Sequence, residues 1–369
     1  LTYTVIGAGI VGLVTAFELA DKGHRVRVID PHPISGASFH AAGMLAPTAE
    51  MVYQQDALFG LMDDSAARYP DLLQRVSAHT ELPTAHRTEG TLIIAGDPAD
   101  RRHLMQLAAY QEKHGHPVER LSIDAARDLE SALSPTICGA LRIAGDHQID
   151  PRVFCTALID ALTTMGIPFE QRTATREDLG PTTIVCAGLG ARDFFPRLPL
   201  RPVYGDIMRL KSPTGFGEQP LLNHVVRGYI TGRPVYIVPR ADGTIVVGAT
   251  SREDQRPEPQ AGGVLDLLRD AAQMVPMIRD CDIVETTCGA RPGTPDDLPL
   301  IGRDEDTGAI ISTGYFRHGI LLAAWGGALT AAFALGEEDR IATPDVLATI
   351  HPDRNQQASG SNDRLDIQP

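Results

Sequence analysis

The apolar positions change spacing twice within the first thirty residues. Residues 3–6 are a short apolar run, residues 10–22 place Val11, Val14 and Leu19 at helical intervals among small residues, and residues 25–30 alternate from Arg25 to Asp30. These periods predict strand, helix and second strand, a single βαβ unit. Helical spacing returns near 56–79, 98–115 and 151–166, and the run 181–187 reads as a buried strand.

Between 200 and 250 the texture shifts to short β-rich runs, Val203 to Leu210, Arg233 to Pro239 and Thr244 to Ala249, parted by Gly, Pro and Asp-Gly turn signals. Antiparallel sheet is the expectation there. A helix at 263–274, a strand near 282–287, a Gly- and Pro-rich loop over 289–302, a strand at 309–312 and a small-residue helix at 319–335 follow. From about 354 the chain is polar and expected to fray. Strand blocks set between α/β blocks predict an α/β fold, α+β overall, in which a Rossmann-like dinucleotide-binding domain is interwoven with an antiparallel-sheet substrate domain. The expected boundaries are 1–80, 140–205 and 287–350 for the first, 81–139 and 206–286 for the second, with a C-terminal tail at 351–369.

Composition narrows the function classes. The 369 residues are 43% hydrophobic and 22% charged, which suits a globular chain with about two domains' worth of core. A formal charge of -14 without any Lys/Arg run argues against a nucleic-acid or anionic-membrane surface. No stretch reaches the roughly 18 to 20 apolar residues of a membrane span, and no apolar signal core follows a charged start, so a cytoplasmic location is expected. The five cysteines are widely spaced and odd in number, and read as reduced thiols; no His, Cys or carboxylate spacing suggests a metal site.

Gly7, Gly9 and Gly12 form GxGxxG directly after a strand and at the start of a helix. Gly7 permits the tight turn, Gly9 the approach of backbone to a pyrophosphate, and Gly12 close helix–strand packing, while the helix N-terminus offers free N–H groups. Asp30 ends the second strand, where a carboxylate holds a ribose diol. The fingerprint alone leaves FAD and NAD equally open.

Four further stretches carry a resemblance. These are the small-residue loop 35–47, the run 235–250 from Val235 through Tyr236 to Thr250, the run 288–302 with Arg291-Pro292-Gly293-Thr294, and 313–323 with Phe316-Arg317-His318-Gly319. In that order they resemble the flavin-dependent amine oxidases of the D-amino-acid oxidase, sarcosine oxidase and glycine oxidase group, and among these the glycine oxidases linked to thiamine thiazole synthesis. The resemblance implies FAD, bound non-covalently. It assigns cofactor contacts to Ile10, Val11, Asp30, Pro31, Ala37, Ser38, Ala42, Gly43 and Met44, to an adenine-side position at Ala174, and to Tyr315, Phe316, Arg317, His318, Gly319, Ile320 and Leu321. It places the substrate carboxylate on Arg291, a hydrogen bond to substrate on Tyr236, and Arg317 near both substrate and flavin. A small amino-acid substrate, O2 as acceptor, a homotetramer and hand-off to a thiazole synthase are further implications. Two departures stand out: Pro234, where glycine oxidases can carry a His, and Val203-Tyr204-Gly205-Asp206, where related oxidases often show Arg-Gly-Gln or Lys-Gly-Glu.

The residue types suit C–N oxidation. Arg291 offers a planar fork to a carboxylate, and Arg317, before the expected helix start at Gly319, lies where backbone N–H groups would stabilise a reduced flavin. A structural ion pair for Arg291 and an ordinary turn at Arg317 are the plainer alternatives. Hydride leaving directly from a neutral amine requires no essential general base. His318 reads as a packing or solvent residue, and Cys288 lies near the segment where sarcosine oxidases tether their flavin, at a different spacing. An electron acceptor other than oxygen, as in D-amino-acid dehydrogenases, and a tRNA-modifying or subunit-binding flavoprotein remain open.

Overall fold

The computed structural model describes residues 1–212 and 220–354. Most of the tail expected at 351–369 thus lies outside the described residues.

The βαβ unit forms as its periods dictate: strand Thr2–Ile6, helix Ile10–Asp21 and strand Arg25–Ile29. Thr2–Ile6 lies in the middle of a six-stranded sheet, between Arg25–Ile29 and Thr183–Val185, both parallel to it. Ile310–Thr313 and then the antiparallel Leu300–Arg303 extend one side, and Phe169–Glu170 closes the other. The helix is apolar on nearly every side because it is covered on every side, packing against Pro151–Thr164 and Ala323–Leu335. Small residues bring the last pair together: a Cβ on Gly327 would lie 3.0 Å from Val14 Cβ.

A second, eight-stranded sheet is built from the intervening segments, so the two layers are interwoven. Its order is Asp282–Gly293, Arg201–Lys211, Thr244–Gly248, Arg233–Pro239, Val225–Ile230, Thr91–Ala95, Gly139–Ile143 and Glu119–Leu121. Every pairing is antiparallel except Val225–Ile230 with Thr91–Ala95. Three short strands, Met44–Leu45, His147–Ile149 and His86–Arg87, form a third sheet.

Two sequence expectations need correction. The segment 289–302 is not a single loop: Arg291, Pro292 and Gly293 continue a twelve-residue strand, paired with Val203, Pro202 and Arg201. That strand is the sheet edge, where a proline's missing N–H is tolerated. The small-residue helix starts at Ala323 instead of 319. Residues 315–322 wind through turns first, held by His318 N–H to Tyr315 O at 2.9 Å and Leu322 N–H to His318 O at 2.7 Å. Among the described residues no helix is long and apolar enough to cross a membrane.

Candidate active site

A cavity of about 1020 Å³ runs from the turn after the first strand to the face of the eight-stranded sheet. At the nucleotide end Gly7 has φ +103°, and a Cβ there would lie 2.5 Å from the Cys186 carbonyl oxygen. Only glycine fits both constraints. Gly9 faces the cavity with Ile10 and Val11, whereas Gly12 stands behind it, where an added Cβ would collide with the Gly7 carbonyl oxygen and lie 3.2 Å from Cys186 Cβ. Gly12 therefore does not face the cavity and acts through packing, the part its place in the fingerprint implies.

Asp30 organises the turn. Its Oδ2 accepts the Ala8 N–H at 2.6 Å and its Oδ1 the His32 N–H at 2.8 Å. A carboxylate has about four acceptor positions, so capacity for a ribose diol remains. Ser38 Oγ accepts the Ile10 N–H at 3.0 Å, tying the 35–47 loop to the helix N-terminus. Pro31, Ala37, Ser38, Ala42, Gly43, Met44 and Ala174 all line the cavity, as do Tyr315 through Leu321. His318 is buried, and its Nδ1 has no hydrogen-bond partner among the described residues; burial holds the imidazole below its ordinary value, so it is neutral near pH 7. The glycine cradle, the Asp30 carboxylate, a cavity of this length and an unsatisfied buried nitrogen at its far end fit FAD.

At that far end Arg291 and Tyr236 come together on the sheet face. Arg291 is held through Nη1 to the Thr250 carbonyl at 3.2 Å and has no ion pair among the described residues. Burial lowers its guanidinium below the ordinary value, yet an arginine stays charged. Two glycines on neighbouring strands leave the space: a Cβ on Gly205 would lie 2.6 Å from Arg291 Cζ, and one on Gly248 would lie 2.6 Å from Tyr236 Cζ. Burial raises the Tyr236 phenol, so it keeps its proton. Arg317 also lines the cavity but is exposed, with its guanidinium 5.8 Å from the Phe316 ring centroid. The backbone around it belongs to the turns before Ala323, not to a helix terminus.

Pro234 lines the cavity from an exposed position opposite Tyr229 on the next strand. Cys288 does not line it. Its sulfur accepts from Arg252 Nη2 at 3.2 Å, and burial, with Asp206 beside it, pushes the thiol up to about 11. All five cysteines are free.

Sequence reasoning missed Glu50, Arg227 and Tyr229, which line the same end. Arg227 and Tyr229 alternate along Val225–Ile230, so their period was legible once that strand was recognised. Arg227 Nη1 donates to Glu50 Oε1. Burial raises the Glu50 carboxyl, but the positive charges around it, Arg227 first, outweigh burial and leave it below the ordinary range. No sequence signal marked Glu50, which sits on a loop.

Comparison with known proteins agrees with this geometry. The family model described as "FAD dependent oxidoreductase" matches residues 2–333. The glycine oxidase of Geobacillus kaustophilus is 30% identical over 353 residues, covering 89% of this chain and 91% of that protein. The bifunctional protein ThiO/ThiG of Trichormus variabilis is 27% identical over 376 residues, covering 97% of this chain and 55% of that protein. The chain thus spans about half the length of its ThiO/ThiG relatives. The crystal structure of the Geobacillus kaustophilus glycine oxidase superposes with a TM-score of 0.83 at 27% identity, over 94% of this chain and 98% of the other.

Proposed function

The chain belongs to the FAD-dependent oxidoreductase family, and from that premise we propose that it oxidises the C–N bond of a small amino acid, glycine foremost, with sarcosine and small D-amino acids as the neighbouring substrates. The observation that carries the reading is Arg291: a buried guanidinium in the cavity whose one hydrogen bond among the described residues goes to a backbone carbonyl. An unpaired buried cation is costly, and a substrate carboxylate is the partner that relieves it.

Bound FAD supplies the hydride acceptor and, on reoxidation by O2, releases H2O2. The protein's part is orientation. Arg291 fixes the carboxylate, and the protonated Tyr236 donates to it from across the sheet, two strands lying between theirs, so the Cα–H direction is set by two rigid sheet residues. Arg317 and the backbone N–H groups of the 315–322 turns supply positive potential at the cavity wall. The imine hydrolyses to the oxo acid and ammonia when it escapes into water, and the names of the ThiO/ThiG relatives support its capture by a thiazole synthase before that. A cytoplasmic location and a homotetramer complete the proposal, the latter checked by sedimentation.

A substrate panel tests it, run in air for peroxide and under nitrogen for flavin bleaching. Bleaching by glycine with peroxide in air is expected; bleaching followed by slow reoxidation in air would instead select a dehydrogenase. No bleaching with glycine, sarcosine or small D-amino acids overturns the amino-acid reading.

A further inference from the structure

An amino acid near neutral pH presents a carboxylate and an amino group a few ångströms apart, so a site selective for it needs an acceptor as well as a cation. The substrate end of the cavity holds three guanidiniums, Arg227, Arg291 and Arg317, and two nearby carboxylates, Glu50 and Asp297. Asp297 is committed on both oxygens: Oδ2 accepts from Gln55 at 3.0 Å and Oδ1 from Arg201 at 3.3 Å. Glu50 spends Oε1 on Arg227, while its Oε2 accepts from no described residue. Its charge reaches Arg291 and Tyr236.

We propose that Glu50 recognises the amino group of the substrate, its Oε2 accepting an N–H while Arg291 holds the carboxylate. The inference rests on the amino-acid reading above and extends it from the acid end of the substrate to the amine end.

The loop beneath Glu50 is built to hold it still. Asp146 accepts the Thr48 N–H at 3.2 Å and the Ala49 N–H at 2.9 Å, Gln111 Nε2 donates to Thr48 O at 2.8 Å, and Glu50 N–H donates to Ala46 O at 3.0 Å. Arg227 orients the carboxylate from the opposite wall. A fixed acceptor beside a fixed cation favours an amine-bearing acid over the bare acid of the same size, which brings a carboxylate near Glu50 and offers it no N–H. Glu50 therefore separates amino acids from simple carboxylic acids, a choice Arg291 cannot make.

The test compares two ligands on flavin-loaded enzyme: KM for glycine, and the dissociation constant of acetate from its perturbation of the flavin spectrum. In Glu50→Gln the glycine KM rises about tenfold or more, the worth of one charge-assisted hydrogen bond, while acetate binds as well as before or tighter. A parallel weakening of both ligands, or no change in either, overturns the proposal and leaves Glu50 a partner of Arg227 only. Arg227→Lys keeps a cation beside Glu50 and so keeps it a carboxylate while changing the pair's geometry, so the preference for glycine over acetate persists; its collapse there also counts against Glu50. If wild-type enzyme is not bleached by any amino acid tried, the reading beneath has failed, an outcome distinct from bleaching with an unaltered glycine-to-acetate ratio in Glu50→Gln.

Discussion

Gly205 and Arg291 stand diagonally across two paired strands, and the glycine is what makes room for the arginine: an added Cβ would lie 2.6 Å from the guanidinium carbon. The departure from the Arg-Gly-Gln pattern of related oxidases therefore retains the one position that Arg291 requires.

Gly205→Ala should displace Arg291 while leaving the backbone pairing intact, since φ at this position is not in the left-handed region. A misplacement of about 1 Å costs on the order of 100-fold in efficiency. The expected result is a fall of that size in kcat/KM for glycine with FAD content unchanged; full activity would show that Arg291 moves without consequence.

Arg291→Lys keeps the charge and loses the fork. A rise of about 100-fold in glycine KM, with a smaller fall in kcat, is expected from steady-state kinetics, because the lysine offers a point charge where two parallel donors are needed. An unchanged KM would remove Arg291 from carboxylate binding.

Asp30→Ala removes the acceptor of the Ala8 and His32 N–H groups. The turn at Gly7 loosens and the ribose loses its carboxylate, so FAD affinity should drop by about tenfold or more. Fluorescence of flavin released on dilution measures this.

Burial pushes the Asp146 carboxyl up to about 7, against the two N–H bonds from Ala49 and Thr48 that oppose the shift. A carboxyl raised in the folded state favours folding when protonated, so its contribution is full below about 3.8 and is lost as pH climbs through about 7. Asp146→Asn does not titrate. The Tm of wild type minus that of Asp146→Asn should therefore decline between pH 4.5 and 8 and level off above; a constant difference would place the carboxyl's ionisation elsewhere.

Cys288→Ser should bind FAD like the wild type, and acid-denatured wild type should lose its yellow colour to the supernatant, because the thiol faces Arg252 and Asp206 outside the cavity. Colour retained in the protein pellet would contradict the placement.

How far the sequence was legible depended on how local each signal was. The βαβ unit and Asp30 were readable because turn, helix and carboxylate all fall within thirty residues and each has one physical job. Arg291 was readable from its motif, but its strand was not: Gly289, Pro292 and Gly293 look like loop residues, and only the neighbour Arg201–Lys211 makes them an edge strand. Val225–Ile230 went unassigned for the same reason, its parallel partner Thr91–Ala95 lying far back in the chain. Glu50 left no trace, since its position follows from Asp146 and Gln111, residues that approach it only in the folded molecule.

The central strand Thr2–Ile6 is flanked by Thr183–Val185, that strand by Ile310–Thr313, and the first helix is covered by Ala323–Leu335. Segments far down the chain thus complete what the nucleotide fingerprint begins. A chain cut before residue 310 holds the glycines and Asp30 but lacks the strand Ile310–Thr313 and the covering helix, so its apolar first helix is left open to proteases. Flavin capture therefore requires the segment through Leu335, and a truncation that removes 315–335 takes one wall of the cavity together with the cover of the first helix.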